Sequence, residues 1–306
     1  MNLIPSNQIN LYGLEKDLRL FISLYKENRL PNKILLTGQK GIGKSTLAYH
    51  LINFVLSNDE EYKYNETNLK INEFNKSFKL INNKVNPNFQ LIDIMDGSKS
   101  INIDQIRDLI KNINSSCFNN KPRFILIDNT EYLNKNSINA LLKNLEEPNS
   151  NTFFILINNQ KKLLSTLTSR CINFNIHLSY SNSIKVINNL LNDDVFNYVN
   201  NELIDYYFSP GSIYNLCNFA KLNNINIKDI DLQTFLKIII DNNYLKKEIF
   251  LNYIFYDYIE LCLKKTSINL RDNYYSYFIN KINELKKFNL DEESFFLEFQ
   301  DKIFNE

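Results

Sequence analysis

The sequence predicts an α/β fold followed by an all-α region, and two observations support this prediction. Between residues 33 and 176, short apolar runs alternate with segments whose apolar residues recur at helical spacing. The runs are continuous and apolar, which is typical of strands in a parallel sheet covered on both faces. Beyond residue 180 no strand pattern is convincing, and the long stretches there show helical periodicity.

The first half of the chain opens with a helix and a strand. The spacing of apolar residues predicts a helix over 13–30, which Pro31 ends. The run KILLTG at 33–38 predicts a buried strand, and 41–57 predicts a helix with an apolar face. Residues 58–85 are polar, rich in Asn and Lys and weakly periodic, so we expect an inserted loop with one short helix.

The same alternation continues to residue 176. Apolar runs predict the strands, helical spacing predicts the helices, and Pro148 is expected to stop the last helix. In chain order, these elements are strand 89–95, helix 101–114, strand 123–128, helix 136–147, strand 152–158 and strand 172–176.

The change of pattern near residue 178 predicts the domain organisation. We expect a parallel-sheet domain over residues 1–178 and a small helical domain over 179–225. A C-terminal all-α domain is expected over 226–306.

Composition excludes several classes of protein. The 306 residues include 35 Lys and Arg against 34 Asp and Glu, a formal charge of +1, so this is no globally basic nucleic-acid coat protein. No apolar stretch reaches the about 18 residues of a membrane span, and the N-terminus lacks a signal-peptide pattern. The four cysteines are scattered without a CxxC pair, so we expect reduced thiols and a cytoplasmic location.

A phosphate-binding loop is the most specific motif. Residues 38–45, GQKGIGKS, fit GxxxxGK[ST] between a predicted strand and a predicted helix, and they hold three of the six glycines. In such a loop the backbone N–H groups surround phosphate, the Lys reaches the β- and γ-phosphates, and the Ser holds Mg²⁺. The candidate nucleotide-binding residues here are Gly38, Gly41, Gly43, Lys44, Ser45 and Thr46.

A carboxylate for Mg²⁺ is expected at the end of a neighbouring strand. Asp128, which ends RFILID, has that position. Many P-loop ATPases place a Glu directly after this Asp as the base that activates water. This chain has Asn129, and a neutral amide is a poor general base. Glu131 is an alternative base, so the sequence predicts nucleotide binding with little or no intrinsic hydrolysis.

Residues 123–171 carry a resemblance to a known family. The ordered pieces are the strand ending at Asp128, NALLK at 139–143, LEEP at 145–148 and SRC at 169–171. Together they closely resemble the AAA+ core of bacterial DNA polymerase III clamp-loader subunits. The resemblance covers roughly residues 10–220, and it implies an AAA+ module, a small helical lid and a C-terminal helical collar.

Within that family the chain is more similar to the delta-prime branch than to the gamma/tau motor branch. Motor subunits usually carry a cysteine zinc module between the phosphate loop and the Mg²⁺-binding strand, where this chain has Cys117 alone. They also carry an acidic pair where this chain has Asp128-Asn129. Residues 85–89, VNPNF, resemble a drifted form of a delta-prime motif.

The resemblance also implies roles for individual residues. Arg170, in the SRC triplet, corresponds to an arginine finger that acts in trans at the nucleotide of a neighbouring subunit. Asn158 matches the sensor-1 position that detects the γ-phosphate. The segment 208–214 corresponds to the sensor-2 turn but contains no Arg. A chain without the catalytic Glu and the sensor-2 Arg is not expected to be an efficient motor.

The implied function is that of a clamp-loader subunit with ATP and Mg²⁺ as cofactors. The expected partners are the gamma/tau and delta subunits and, through the complex, the sliding clamp and primed DNA, with no membrane. An active gamma/tau-like ATPase and a non-enzymatic scaffold with a relic phosphate loop remain as alternatives. Whether the isolated chain is an enzyme stays open, since we expect little or no ATPase activity from it.

Overall fold

The computed structural model describes most of the chain. The described residues are 3–95, 98–114, 119–146, 151–204, 208–248, 250–265, 268–288 and 292–304. Cys117, Glu147 and Pro148, which the sequence analysis singles out, lie outside them. The chain divides into two compact units, Met1–Val186 and Ile187–Glu306.

The first unit is built on a parallel sheet of five strands. Their order in the sheet is β2-β3-β4-β1-β5, and each neighbouring pair is parallel. The carboxyl ends of β1, β3 and β4 therefore meet at one edge of the sheet. The strands are β1 (Lys33–Thr37), β2 (Phe89–Ile92), β3 (Arg123–Ile127), β4 (Thr152–Asn158) and β5 (Ile172–Asn175).

Helices cover both faces of this sheet, which explains the continuous apolar strands. Along β3, Phe124 and Leu126 join one buried cluster, while Ile125 and Ile127 join another on the opposite face. The helices of this unit are α1 (Glu15–Lys26), α2 (Lys44–Leu56), α3 (Lys76–Asn82), α4 (Ile103–Asn114), α5 (Lys135–Glu146), α6 (Ser165–Thr168) and α7 (Tyr180–Leu191), which extends past Val186. Helices α1 and α2 belong to the first cluster and α4 and α5 to the second.

The predicted α/β class is confirmed, with small differences in the elements. The inserted segment 58–85 contains the single short helix α3, as predicted. Helix α6 is one turn that the sequence analysis did not predict, because four residues are too few to show a helical period.

The second unit contains only helices among its described residues. Within 231–265, which has helical periodicity throughout, Asn243 adopts a left-handed conformation (φ 52°) that ends one helix before the next begins. Asn tolerates this conformation, so the break lacks a Gly or Pro signal. The helices are α8 (Pro210–Leu222), α9 (Leu232–Asp241), α10 (Tyr244–Lys247), α11 (Leu251–Lys265), α12 (Ile268–Phe288) and α13 (Glu292–Phe304). No helix in the described ranges is both long and apolar enough to cross a membrane.

One tyrosine joins the predicted lid and collar segments inside the second unit. Tyr258 of α11 is fully buried, and its hydroxyl donates to the carbonyl oxygen of Leu203 at 2.9 Å. Its ring lies 4.6 Å from that of Phe208 and 5.3 Å from that of Phe235, centroid to centroid. Residues on both sides of position 225 thus share a core, and the boundary there remains a prediction.

Candidate functional site: a phosphate loop and its polar network

The phosphate loop connects β1 to α2 at the carboxyl edge of the sheet. Helix α2 begins at Lys44, directly after Gly43, which adopts a left-handed conformation with φ of 97°. Gly41 also has a positive φ, 84°, and is exposed. Ser45 and Thr46 lie half-buried in the first turn of α2. The first N–H groups of an α-helix have no partner within the helix, so a helix that begins directly after a glycine-rich loop offers an anion site.

Gly38 is required by sterics. A Cβ atom at this position would lie 2.2 Å from the carbonyl oxygen of Ile176. We expect Gly38→Ala to lower the free energy of unfolding by about 1–3 kcal/mol, since backbone must move to admit the methyl group. Urea unfolding measures the change. Gly211→Ala, in the first turn of α8, is the control and is expected to cost nothing; equal stability of both variants would contradict the steric argument.

The side chain of Lys44 is buried and fully engaged by oxygen atoms. Only 3% of the residue is exposed. Its Nζ donates to the carbonyl oxygens of Gly38 at 2.9 Å and Gln39 at 2.7 Å, and to Oδ1 of Asn159 at 3.0 Å. Burial lowers the pKa of Lys44 to about 8, against the raising effect of Asp128 and Glu131. The ammonium group thus lies at the loop, and its lowered pKa of about 8 is close to neutral pH.

Ser45 and Asp128, the two predicted Mg²⁺ ligands, are in direct contact. The hydroxyl of Ser45 donates to Oδ2 of Asp128 at 2.5 Å. Burial raises the pKa of Asp128, and the nearby carboxylate of Asp93 raises it further, although the Ser45 hydrogen bond lowers it. Two half-buried carboxylates beside a hydroxyl are hard oxygen donors, the set that Mg²⁺ prefers. Asp93 is not among the ligands predicted from the sequence; it follows β2 and so reaches the same sheet edge.

Asn129 is held in place by two neighbours. Its backbone is left-handed, with φ of 53°. Its Nδ2 donates to Oδ1 of Asp93 at 2.8 Å, and its Oδ1 accepts from Nδ2 of Asn159 at 2.9 Å. The amide group that stands in the place of a general base is thus fixed in a hydrogen-bond network.

Asn159, and not Asn158, contacts Lys44. The side chain of Asn158 forms a turn in which Nδ2 donates to the carbonyl oxygen of Lys161 at 2.8 Å and Oδ1 accepts from its N–H at 3.3 Å. The assignment of Asn158 to the sensor-1 position stays a prediction; the contact with Lys44 is made by the next residue, Asn159. Strand alternation explains the difference, because Asn158 has the parity of Phe154 and Leu156, which face the cluster away from α2.

Glu131 also reaches this network. Its carboxylate oxygens accept from Nδ2 of Asn159 at 2.9 Å and from the backbone N–H of Asn159 at 3.3 Å. It lies in a short 3₁₀ turn, Thr130–Tyr132, that follows β3. The alternative base is therefore near the loop, and both of its oxygens already accept hydrogen bonds from the Asn159 segment.

Arg170 forms hydrogen bonds with Glu146 and Thr166, which lie outside the phosphate loop. Its Nε donates to Oε1 of Glu146 at 3.0 Å, and its Nη2 also donates to that oxygen. Its Nη1 donates to the carbonyl oxygen of Thr166 at 2.8 Å.

The segment matched to the sensor-2 turn, residues 208–214, lies at the start of α8 in the second unit. Ser209 caps this helix, because its hydroxyl oxygen accepts from the N–H of Ser212 at 3.3 Å.

Comparisons with known proteins show which proteins this chain is similar to. Over 91% of the chain and 92% of the relative, the sequence is 28% identical to DNA polymerase III subunit delta' of Buchnera aphidicola subsp. Baizongia pistaciae. It is 32% identical to subunit delta' of Pseudomonas aeruginosa over 45% of the chain and 40% of that relative. A solved gamma subunit-related protein of Thermotoga maritima shows 16% identity and a TM-score of 0.42, covering 88% of this chain and 77% of that one.

The family assignment follows from the sequence match. A protein-family model described as DNA polymerase III, delta subunit, matches residues 13–179 of the 306. That match spans more than half of the chain and includes the phosphate loop, Asp128 and Arg170. The chain therefore belongs to the family of DNA polymerase III delta subunits, in its delta' form.

Proposed function

We propose that this chain is a clamp-loader subunit that binds ATP with Mg²⁺, hydrolyses it slowly or not at all, and supplies Arg170 to the nucleotide of a neighbouring ATPase subunit. Its partners in this proposal are gamma/tau and delta subunits, and through them the sliding clamp and primed DNA. Membership in the delta' family supports the assembly, and the phosphate loop supports the nucleotide.

The observation that carries the proposal is the position of Asn129. It occupies the place after the Mg²⁺-binding Asp128, and its amide donates to Asp93 and accepts from Asn159. An amide so held cannot take a proton from an attacking water. This supports a site that keeps candidate groups for phosphate and metal but has no carboxylate at the position directly after Asp128.

The residues present fit ATP and Mg²⁺. The N–H groups of the loop and of the first turn of α2 would hold the β- and γ-phosphates, with Lys44 adding its charge. Ser45 and Asp128 would hold the metal. When bound, Mg²⁺ neutralises phosphate charge and polarises the γ-phosphoryl group. Lys44 would exchange its bonds to Gly38 and Gln39 for phosphate oxygens, while Asn159 keeps it aimed at the loop.

A gamma/tau-like motor is the second candidate, and Glu131 favours it. This carboxylate lies two residues beyond Asn129 and shares Asn159 with Lys44. If Glu131 acts as the base, the isolated chain hydrolyses ATP and Glu131→Gln abolishes that turnover. If Glu131 only orients Asn159, the chain has no turnover to lose.

Nucleotide affinity is expected to fall as the pH rises above about 8. The pKa of Lys44 in the free protein is lowered to about 8 by burial, so the ammonium group loses its proton above that pH. Titration of the wild-type chain with a fluorescent ATP analogue at pH 7 and pH 9 measures the fall. Because the charge of Lys40 lowers the pKa of Lys44, Lys40→Ala should move the loss of affinity to higher pH. Identical affinities of the wild-type chain at pH 7 and pH 9 would contradict the prediction.

The proposed role is tested by clamp loading. A complex reconstituted with gamma/tau and delta subunits, with or without this chain, is assayed for ATP-dependent loading of a labelled sliding clamp onto primed DNA. We expect loading only when the chain is present. Undiminished loading without it would contradict a clamp-loader role.

A further inference from the structure

Glu146 and Arg170 form an ion pair between two motifs that lie 24 residues apart. Glu146 is the last residue of α5, and Arg170 follows α6. Their neighbours Leu145 and Leu167 are fully buried in one cluster, so both backbones are anchored in the core. The side chains themselves are accessible, 51% exposed for Glu146 and 30% for Arg170. The ion pair is thus accessible, while the backbone on each side of it is anchored in the core.

The hydrogen bonds among the described residues use only part of the donor capacity of the Arg170 guanidinium group. Glu146 accepts from Nε and Nη2, and Thr166 accepts from Nη1. These bonds use three of the five N–H donors of an arginine. Among the described residues, one N–H on each terminal nitrogen has no acceptor, and oxygens of a phosphate could accept from these two groups.

We propose that Glu146 is a positioning residue for Arg170: its carboxylate holds the guanidinium plane so that the remaining N–H groups face the phosphate of a neighbouring subunit's nucleotide. This inference rests on the proposed function of Arg170. Accessible ion pairs contribute little to the free energy of unfolding. The Glu146–Arg170 pair is better suited to fixing the orientation of the guanidinium group. The carboxylate also keeps an accessible, permanently charged side chain from sampling other rotamers before the neighbour docks.

The test measures steady-state ATP turnover by a complex reconstituted from this chain and a gamma/tau ATPase subunit. We expect Glu146→Ala to lower kcat about 10-fold with little change in KM, since misplaced catalytic groups cost rate rather than binding. Glu146→Gln, which keeps one acceptor oxygen, should recover most of the rate. Asp104→Ala breaks the exposed Arg107–Asp104 pair on α4 and serves as the matched control, with wild-type turnover expected.

A double variant separates positioning from other effects. If Glu146 acts through Arg170, then Glu146→Ala combined with Arg170→Ala has the turnover of Arg170→Ala alone. Additive losses would overturn the proposal, as would wild-type turnover for Glu146→Ala in a complex that Arg170→Ala inactivates. Wild-type turnover for Arg170→Ala would instead overturn the proposed function of Arg170, and the positioning role with it.

Discussion

Replacing Arg170 by Ala in the reconstituted loader is expected to lower ATP turnover at the neighbouring subunit by about 10³- to 10⁵-fold, the range known for arginine fingers. The physical reason is the charge that develops on the γ-phosphoryl oxygens during transfer, which a planar, permanently charged guanidinium group stabilises in two places at once. Arg170→Lys should recover little, because an ammonium group offers a point charge without the fork. Single-turnover hydrolysis by the complex measures the effect.

The control for this prediction is another arginine of the same unit. Arg107 is an accessible residue of α4 that pairs with Asp104 at 3.1 Å. Arg107→Ala should leave turnover and complex assembly at wild-type levels. An Arg170→Ala complex that assembles and turns over ATP at the wild-type rate would remove the arginine from the mechanism and leave it as a structural partner of Glu146.

Replacing Lys44 by Ala is expected to weaken ATP binding by the chain about 10- to 100-fold, the range for loss of a charge-assisted hydrogen bond to phosphate. Lys44 is a buried cation of the loop, and the carbonyl oxygens of Gly38 and Gln39 hold its ammonium group there. Isothermal titration with ATP and Mg²⁺ measures the change in Kd. Circular dichroism of the variant establishes that the sheet and helices are retained.

A surface lysine provides the comparison for Lys44. Lys111 lies on α4, where it pairs with Asp108 at 3.3 Å with both side chains largely exposed. Lys111→Ala should bind ATP as the wild type does. Equal affinities for wild-type, Lys44→Ala and Lys111→Ala chains would indicate that the phosphate loop does not hold the nucleotide.

The strands and the loop are predictable from sequence because their signals are local. β3 is buried on both faces, and its apolar residues form one continuous run. The motif at 38–45 fixes the loop, and Asp128 follows from the strand that it ends. The break at Asn243 was not predictable, since asparagine enters the left-handed region without a strong sequence signal.

The contacts within the site depend on tertiary structure. Asn158 and Asn159 are adjacent asparagines, and the sequence alone does not show which of them contacts Lys44. Asp93 joins the site because β2 pairs with β3 in parallel, so their carboxyl ends meet. The pair of Glu146 and Arg170 joins residues from two helix ends whose distance in space the sequence does not encode in any short pattern.

The central claim is that this chain binds nucleotide without turning it over. Its most direct test is titration of the purified chain with a fluorescent ATP analogue and Mg²⁺, with steady-state ATP hydrolysis measured in the same buffer. We predict saturable binding, which Lys44→Ala weakens, together with negligible turnover. Robust turnover by the chain alone would contradict the argument from Asn129 and indicate a motor subunit, and absence of binding would contradict the nucleotide role of the phosphate loop.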